Sequence, residues 1–285
     1  MSIFSEKNIN PMKDLNITEG TVRVKRGDMD YIKFGSGEKA FVIICGMNMT
    51  GLAGLAGPVS EAYGMFAEEY TVYLLDRLKV LPEGYTVREM AEDTAEIMRA
   101  LGIENADIMG NSQGGMIAEY IAIDYPELVH SLVLSSSMSH LTELGSKVLS
   151  YWAELADRKD GKELYREFFK CVYGSPDHEL LAILENTATD EQCVRYGIMA
   201  RACMSFDVRE ELKKIKCPVL VVGSNYDNVL GGDISRELAE ELGCELFMYN
   251  NQKFGHAVCD EAPDFKQRMM DFFHSLDNSA RRQQK

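Results

Sequence analysis

The chain has 285 residues, which suits one α/β core carrying an insertion, or two small domains. Hydrophobic residues make up 46% and charged residues 26%, an ordinary globular balance. The formal net charge of −15 argues against nucleic acid or an anionic membrane surface as partner.

The opening "MSIFSEKNINPMKDLN" is broken by charges and lacks the apolar stretch of a secretion signal. It reads as a loose lead-in to about residue 20. "VRVKRGDMDYIKFGSG" holds two short alternating stretches around Gly27-Asp28, the signature of a hairpin. Then buried runs alternate with helices. Ala40 to Cys45 is an apolar run closed by Gly46, and "AFVIICGM" around it is far too short to span a bilayer. Tyr70 to Leu75 is a second run, ending at Asp76. "VREMAEDTAEIMRALG" has helical spacing through Met90, Thr94, Ile97, Met98 and Leu101, and Gly102 closes it. The strand Ala106 to Met109, the helix "GGMIAEYIAIDYP" and the strand Ser131 to Leu134 follow. Much later come "CPVLVVGS", the helix "DISRELAEELG", the strand "CELFMYN" and the helix "APDFKQRMMDFFHSL". "NSARRQQK" reads as a frayed tail. The pattern predicts a mostly parallel sheet covered by helices on both faces.

One stretch breaks the alternation. From Met138 to Lys216 there is no convincing strand, and four segments read as helices: "HLTELGSKVLSYWAELADR", "GKELYREFFKCVYG", "PDHELLAILENTA" and "DEQCVRYGIMARACM". Residues 138–216 are therefore expected to be an insertion into a core made of 1–137 and 217–285. Such a block either decorates the surface and contacts other copies, or covers the strand ends where α/β sheets bind ligands. The seven cysteines are odd in number and form no CxxC pair, which reads as reduced thiols in a cytoplasmic protein.

The chemistry centres on "IMGNSQGGMIAEY". Only "GNSQ" separates a strand from a helix, so the turn forces Ser112 into a strained backbone, and Gly110 and Gly114 allow close approach. The hydroxyl is raised above the sheet's C-terminal edge, facing a helix N-terminus. A serine needs a base. Of five histidines, His130 lies at the wrong strand end, His178 in the insertion and His274 within the last helix. His140 follows a strand end and reads as a hinge residue. His256, in "NNQKFGHAVCDEAP", sits in the loop between the last strand and last helix and is the expected base. The base needs a carboxylate to fix its tautomer. Asp227, in the loop "GSNYDNVLGGDIS", is the choice. Asp233 reads as a helix N-cap, Asp260 as a residue of a helix start, and Asp76 as a tie for the loop after its strand. Acyl transfer also needs oxyanion donors. The backbone N–H of Gln113 is one; that of Met47, in "CGMNMTG", is the other. Met49 and Met138 are candidate walls of an apolar acyl pocket.

Together "GNSQGG", the order Ser112, Asp227, His256, "CGM" after an early strand, and "CPVLVVGSNYD" with "FGHAVCDEAPDF" resemble the α/β-hydrolase fold family. The likeness runs from about residue 20 to residue 275 and is greatest to small bacterial carboxylesterases and lipase-like hydrolases. The helical insertion falls where that family carries its cap. Two departures stand out. Cys45-Gly46 replaces the frequent His-Gly, and Asp227 lies four residues after Gly223 where three is common, Tyr226 taking the other place. The resemblance implies an acyl-enzyme mechanism without cofactor or metal, acting on a small-molecule ester, thioester or lactone. Carbon–carbon bond hydrolysis, removal of an N-terminal residue from a peptide, and a non-catalytic ligand-binding protein on the same fold are the alternatives.

Overall fold

A computed structural model describes residues 15–283, with side chains to residue 278. Among the described residues eight strands form one sheet: β1 (Thr18–Arg23), β2 (Asp28–Phe34), β3 (Lys39–Ile44), β4 (Tyr70–Leu78), β5 (Ala106–Asn111), β6 (Val129–Ser135), β7 (Val219–Ser224) and β8 (Glu245–Tyr249). Their spatial order is β1-β2-β4-β3-β5-β6-β7-β8. The expected hairpin is there, with Arg23 opposite Asp28. β2 also runs antiparallel to β4, and every pairing from β4 through β8 is parallel.

The helices are α1 (Ala56–Ala62), α2 (Val87–Ala100), α3 (Gln113–Asp124), α4 (Glu143–Asp157), α5 (Gly161–Val172), α6 (His178–Thr187), α7 (Asp190–Met204), α8 (Asp233–Leu242), α9 (Val258–Glu261) and α10 (Phe265–Gln283). Local chemistry fixes several ends. Thr86 and Glu89 make a capping box at the start of α2, and Thr189 and Gln192 make another at α7. Gly243, at φ 61°, closes α8 in the left-handed conformation.

Because strand side chains alternate, each apolar strand feeds two cores. Phe41 and Ile43 of β3 join Phe66, Tyr70, Phe265 and Phe273 on the α10 face. Val42 and Ile44 join Met90, Ile97, Ile117 and Ile121 on the face covered by α2 and α3. This double burial explains why the central strands read as continuous apolar runs rather than alternating ones.

Helices α4 to α7 all fall between β6 and β7. The chain leaves and re-enters the core at one pinch, where His140 bridges Asp207 and Val208 N–H donates to Ser139 O at 2.9 Å. Inside, the buried Trp152 of α4 packs edge-on against Tyr196 of α7, ring centres 5.9 Å apart. Among the described residues no helix is long and apolar enough to cross a membrane.

Two expectations need correction. The tail is not frayed from residue 278, since α10 continues to Gln283. β4 does not stop before Asp76 but runs three residues past Leu75, because pairing with β2 continues to Leu78. The short helices α1 and α9 carry too few periodic residues to be read from sequence. The lead-in lies mostly outside the described residues, and β1 already begins at Thr18.

Candidate active site

Ser112 sits between β5 and α3 at φ 53° and ψ −122°, a conformation costing on the order of 1–3 kcal/mol for a residue with a side chain. The tight turn holds because its neighbours are bare. A Cβ on Gly114 would run into the carbonyl oxygen of Ile44 in β3, and one on Gly110 into the carbonyl of Gly114. The amide of Ser112 is itself spent, donating to Ser135 O of β6 at 2.8 Å. Its carbonyl receives the Gly115 amide at 2.8 Å, so α3 starts at once. Ser112 is 9% exposed and stands at the positive end of that helix.

Asp227 and His256 come from the loops after β7 and β8 and are brought together. Asp227 Oδ2 lies 2.8 Å from His256 Nδ1, with both residues buried at 6% and 3% exposure. Asp227 Oδ1 accepts two amides, from Val229 at 2.8 Å and Leu230 at 2.9 Å. Each of its oxygens is therefore occupied by a donor, Oδ2 by the Nδ1–H of His256. That tautomer puts the lone pair on Nε2.

The loop after β3 closes on the serine. A Cβ on Gly46 would lie 3.3 Å from Ser112 Cβ, a tight contact that the bare glycine avoids. Met47, Met49 and Met138 are all buried and belong to one apolar cluster. The Gln113 amide is at the first position of α3, where no intrahelical acceptor exists. Its side chain reaches into the inserted helices: Nε2 donates to Met199 O at 2.9 Å and approaches Cys203 Sγ at 3.1 Å.

The remaining candidates are placed elsewhere. His130 Nδ1 bonds Asp107 Oδ1 at 2.7 Å, an arrangement that raises its pKa. His274 bonds Glu69 at 2.9 Å, and His178 opens α6. His140 is at the pinch, 3.1 Å from Ser139 Oγ. Asp233 is not the N-cap of α8: Gly232 is, and Asp233 is the first helical residue. Asp76 does not tie down the loop after β4. Its Oδ1 receives Arg195 Nη2 of α7 at 2.8 Å, joining the sheet to the insertion. Sequence reasoning missed this pair, along with Cys203 and Arg77, since nothing local links residues so far apart. The one available signal was the charged pair Asp76-Arg77 inside an apolar strand pattern.

Comparison with known proteins agrees with this architecture. A model of the alpha/beta hydrolase fold matches residues 67–162. The enol-lactonase from Burkholderia xenovorans LB400 superposes with a TM-score of 0.75 at 18% identity, over 90% of this chain and all of that one. MGS-M2, an alpha/beta hydrolase enzyme from a Medee basin deep-sea metagenome library, superposes with a TM-score of 0.78. It is 23% identical, over 90% of this chain and 97% of its own. The chain has the α/β-hydrolase fold. A protein of Stutzerimonas stutzeri named as a carbamate hydrolase, RutD, is 24% identical over 237 residues, 78% of this chain and 88% of the relative. In this hydrolase the paired Asp227 and His256 follow β7 and β8, and Ser112 follows β5, so all three arise at the C-terminal ends of parallel strands. That edge is where the family's fold binds ligands.

Proposed function

We propose that this hydrolase is a serine enzyme that cleaves an ester, thioester or lactone of a small, partly apolar acid through an acyl-enzyme. The buried 2.8 Å Asp227–His256 pair carries the reading, taken with a serine held at positive φ on the same sheet edge. His256 Nε2 takes the proton of Ser112 Oγ as Oγ bonds to the acyl carbonyl carbon. The amides of Met47 and Gln113 receive the oxyanion. Collapse expels the leaving group, which takes the proton from His256 Nε2. Water then gives a proton to His256, attacks the acyl carbon, and releases the acid and Ser112. Asp227 stabilises the imidazolium formed in each half-reaction. Met49 and Met138 line the acyl side, and residues 138–216 act as a cap over the strand ends. The lactonase neighbour and the carbamate-hydrolase relative both have names that denote cleavage at an acyl carbon. That relative also favours a carbamate as the second substrate class.

A fluorophosphonate probe should label the folded protein at Ser112, and absence of labelling would sink the serine reading. Ser112→Ala and His256→Ala should each lower hydrolysis of short p-nitrophenyl esters by at least about 10³-fold, and Asp227→Asn by roughly 10²–10⁴-fold. Unchanged rates in Asp227→Asn would remove Asp227 from the mechanism. Comparing esters, thioesters, lactones and carbamates on wild type and Ser112→Ala ranks the substrate classes.

A further inference from the structure

Behind the loop that carries Met47 lies a buried cation. Arg77, near the end of β4, is 2% exposed, and its Nη2 donates to the carbonyl of Cys45 at 2.6 Å. Its Nε and Nη1 are buried without a partner. The adjacent carboxylate of Asp76 makes its 2.8 Å bond to Arg195 instead, and acts on Arg77 only through space. A guanidinium buried with one hydrogen bond is costly, and an apolar side chain of similar volume would fill the place at less cost. Packing alone does not account for it.

The same loop also meets α7. Cys203 Sγ lies 3.1 Å from Gln113 Nε2 and 4.0 Å from Met47 Sδ, so the side chains of both proposed oxyanion donors meet on one residue. That thiol is pushed up to about 12 by burial and stays neutral. Arg195, also on α7, donates Nη1 to Leu78 O at 2.8 Å, tying the helix to the end of the strand that carries Arg77.

We propose that Arg77 is a positioning residue for the oxyanion hole, an inference that rests on the serine reading above. Its bond pins the Cys45 carbonyl and so restricts Gly46, the hinge that aims the Met47 amide at Ser112. Its charge stands behind the site where the carbonyl oxygen becomes negative, in surroundings that screen it poorly. α7 adds a second contact to the loop through Cys203 and Met47. Arg77 therefore acts on the transition state more than on bound substrate, and its loss falls on kcat and leaves KM.

The test uses phenylboronic acid, whose boron accepts Ser112 Oγ to give a tetrahedral anion resembling the intermediate. Arg77→Met should lower kcat for a p-nitrophenyl ester by about 100-fold, the scale of losing one oxyanion donor, with KM held within about threefold. Boronate affinity should fall by the same factor. Arg77→Lys should recover part of both, and Arg99→Met, on the outer side of α2, should change neither. Should Arg77→Met fail to fold, Arg77→Lys decides: a matched fall in kcat and boronate affinity at constant KM supports the role. Folded variants that keep wild-type kcat and boronate affinity, or that change KM alone, overturn it. A wild type that binds no boronic acid would instead remove the serine reading itself.

Discussion

Glu119 shows how a single side chain can carry a measurable signature away from the chemistry. It is fully buried on α3, seven residues after Ser112, with Oε1 accepting from Ser137 Oγ at 2.9 Å and Oε2 without a partner. Burial pushes its pKa well above the usual carboxylate range, so it is held protonated. The unfolded carboxyl titrates near its ordinary value of 4.5. Below that pH both states are neutral; above it the unfolded state loses a proton the folded state keeps. Stability thus falls as pH rises, by up to about 1.4 kcal/mol per unit, until the folded pKa is reached. Glu119→Gln, which mimics the neutral acid, should match wild type near pH 5 and become progressively more stable than it towards pH 8 in urea melts. A difference that does not change with pH would mean Glu119 is ionised in the fold. At this scale the sequence made Ser112 and the pair Asp227 and His256 visible because each follows a recognisable strand. Arg77 and Cys203 stayed hidden, since their meaning lies in contacts with Cys45 and Gln113 across the sheet and the insertion.

Whole elements were legible where periodicity ran long. The eight strands and the four inserted helices follow from apolar runs and 3.6-residue spacing, and their order in the chain forces α4 to α7 out of the sheet. Tertiary pairing set what periodicity could not, such as the extra length of β4 and the helical tail of α10. It also set how the insertion is fastened. Arg195 and Asp76 are 13% and 7% exposed, so removing one partner leaves a charge buried and unpaired. Arg195→Met should destabilise the protein by about 3 kcal/mol or more, whereas Arg195→Met with Asp76→Leu should recover most of that loss. The comparison is made by equilibrium denaturation. Equal losses in the single and double variants would show that packing of the Arg195 stem, and not the ion pair, holds α7 to β4.

At the scale of the whole molecule, 45 acidic residues stand against 30 basic ones. Many of the ion pairs are exposed and contribute little, and they do not remove the long-range field of the excess carboxylates. That field repels an anionic substrate before it reaches the buried cation at Arg77. Screening is weak at 0.01 M salt, where the Debye length is about 30 Å, and strong at 0.15 M, where it is about 8 Å. For two esters that share an acyl chain and differ by a distal carboxylate, kcat/KM of the anionic ester should rise severalfold across that range. The neutral one should hold nearly constant. A fall for the anionic ester would mean that positive charge near the site, including the buried Arg77, outweighs the molecule's overall charge and draws anions in.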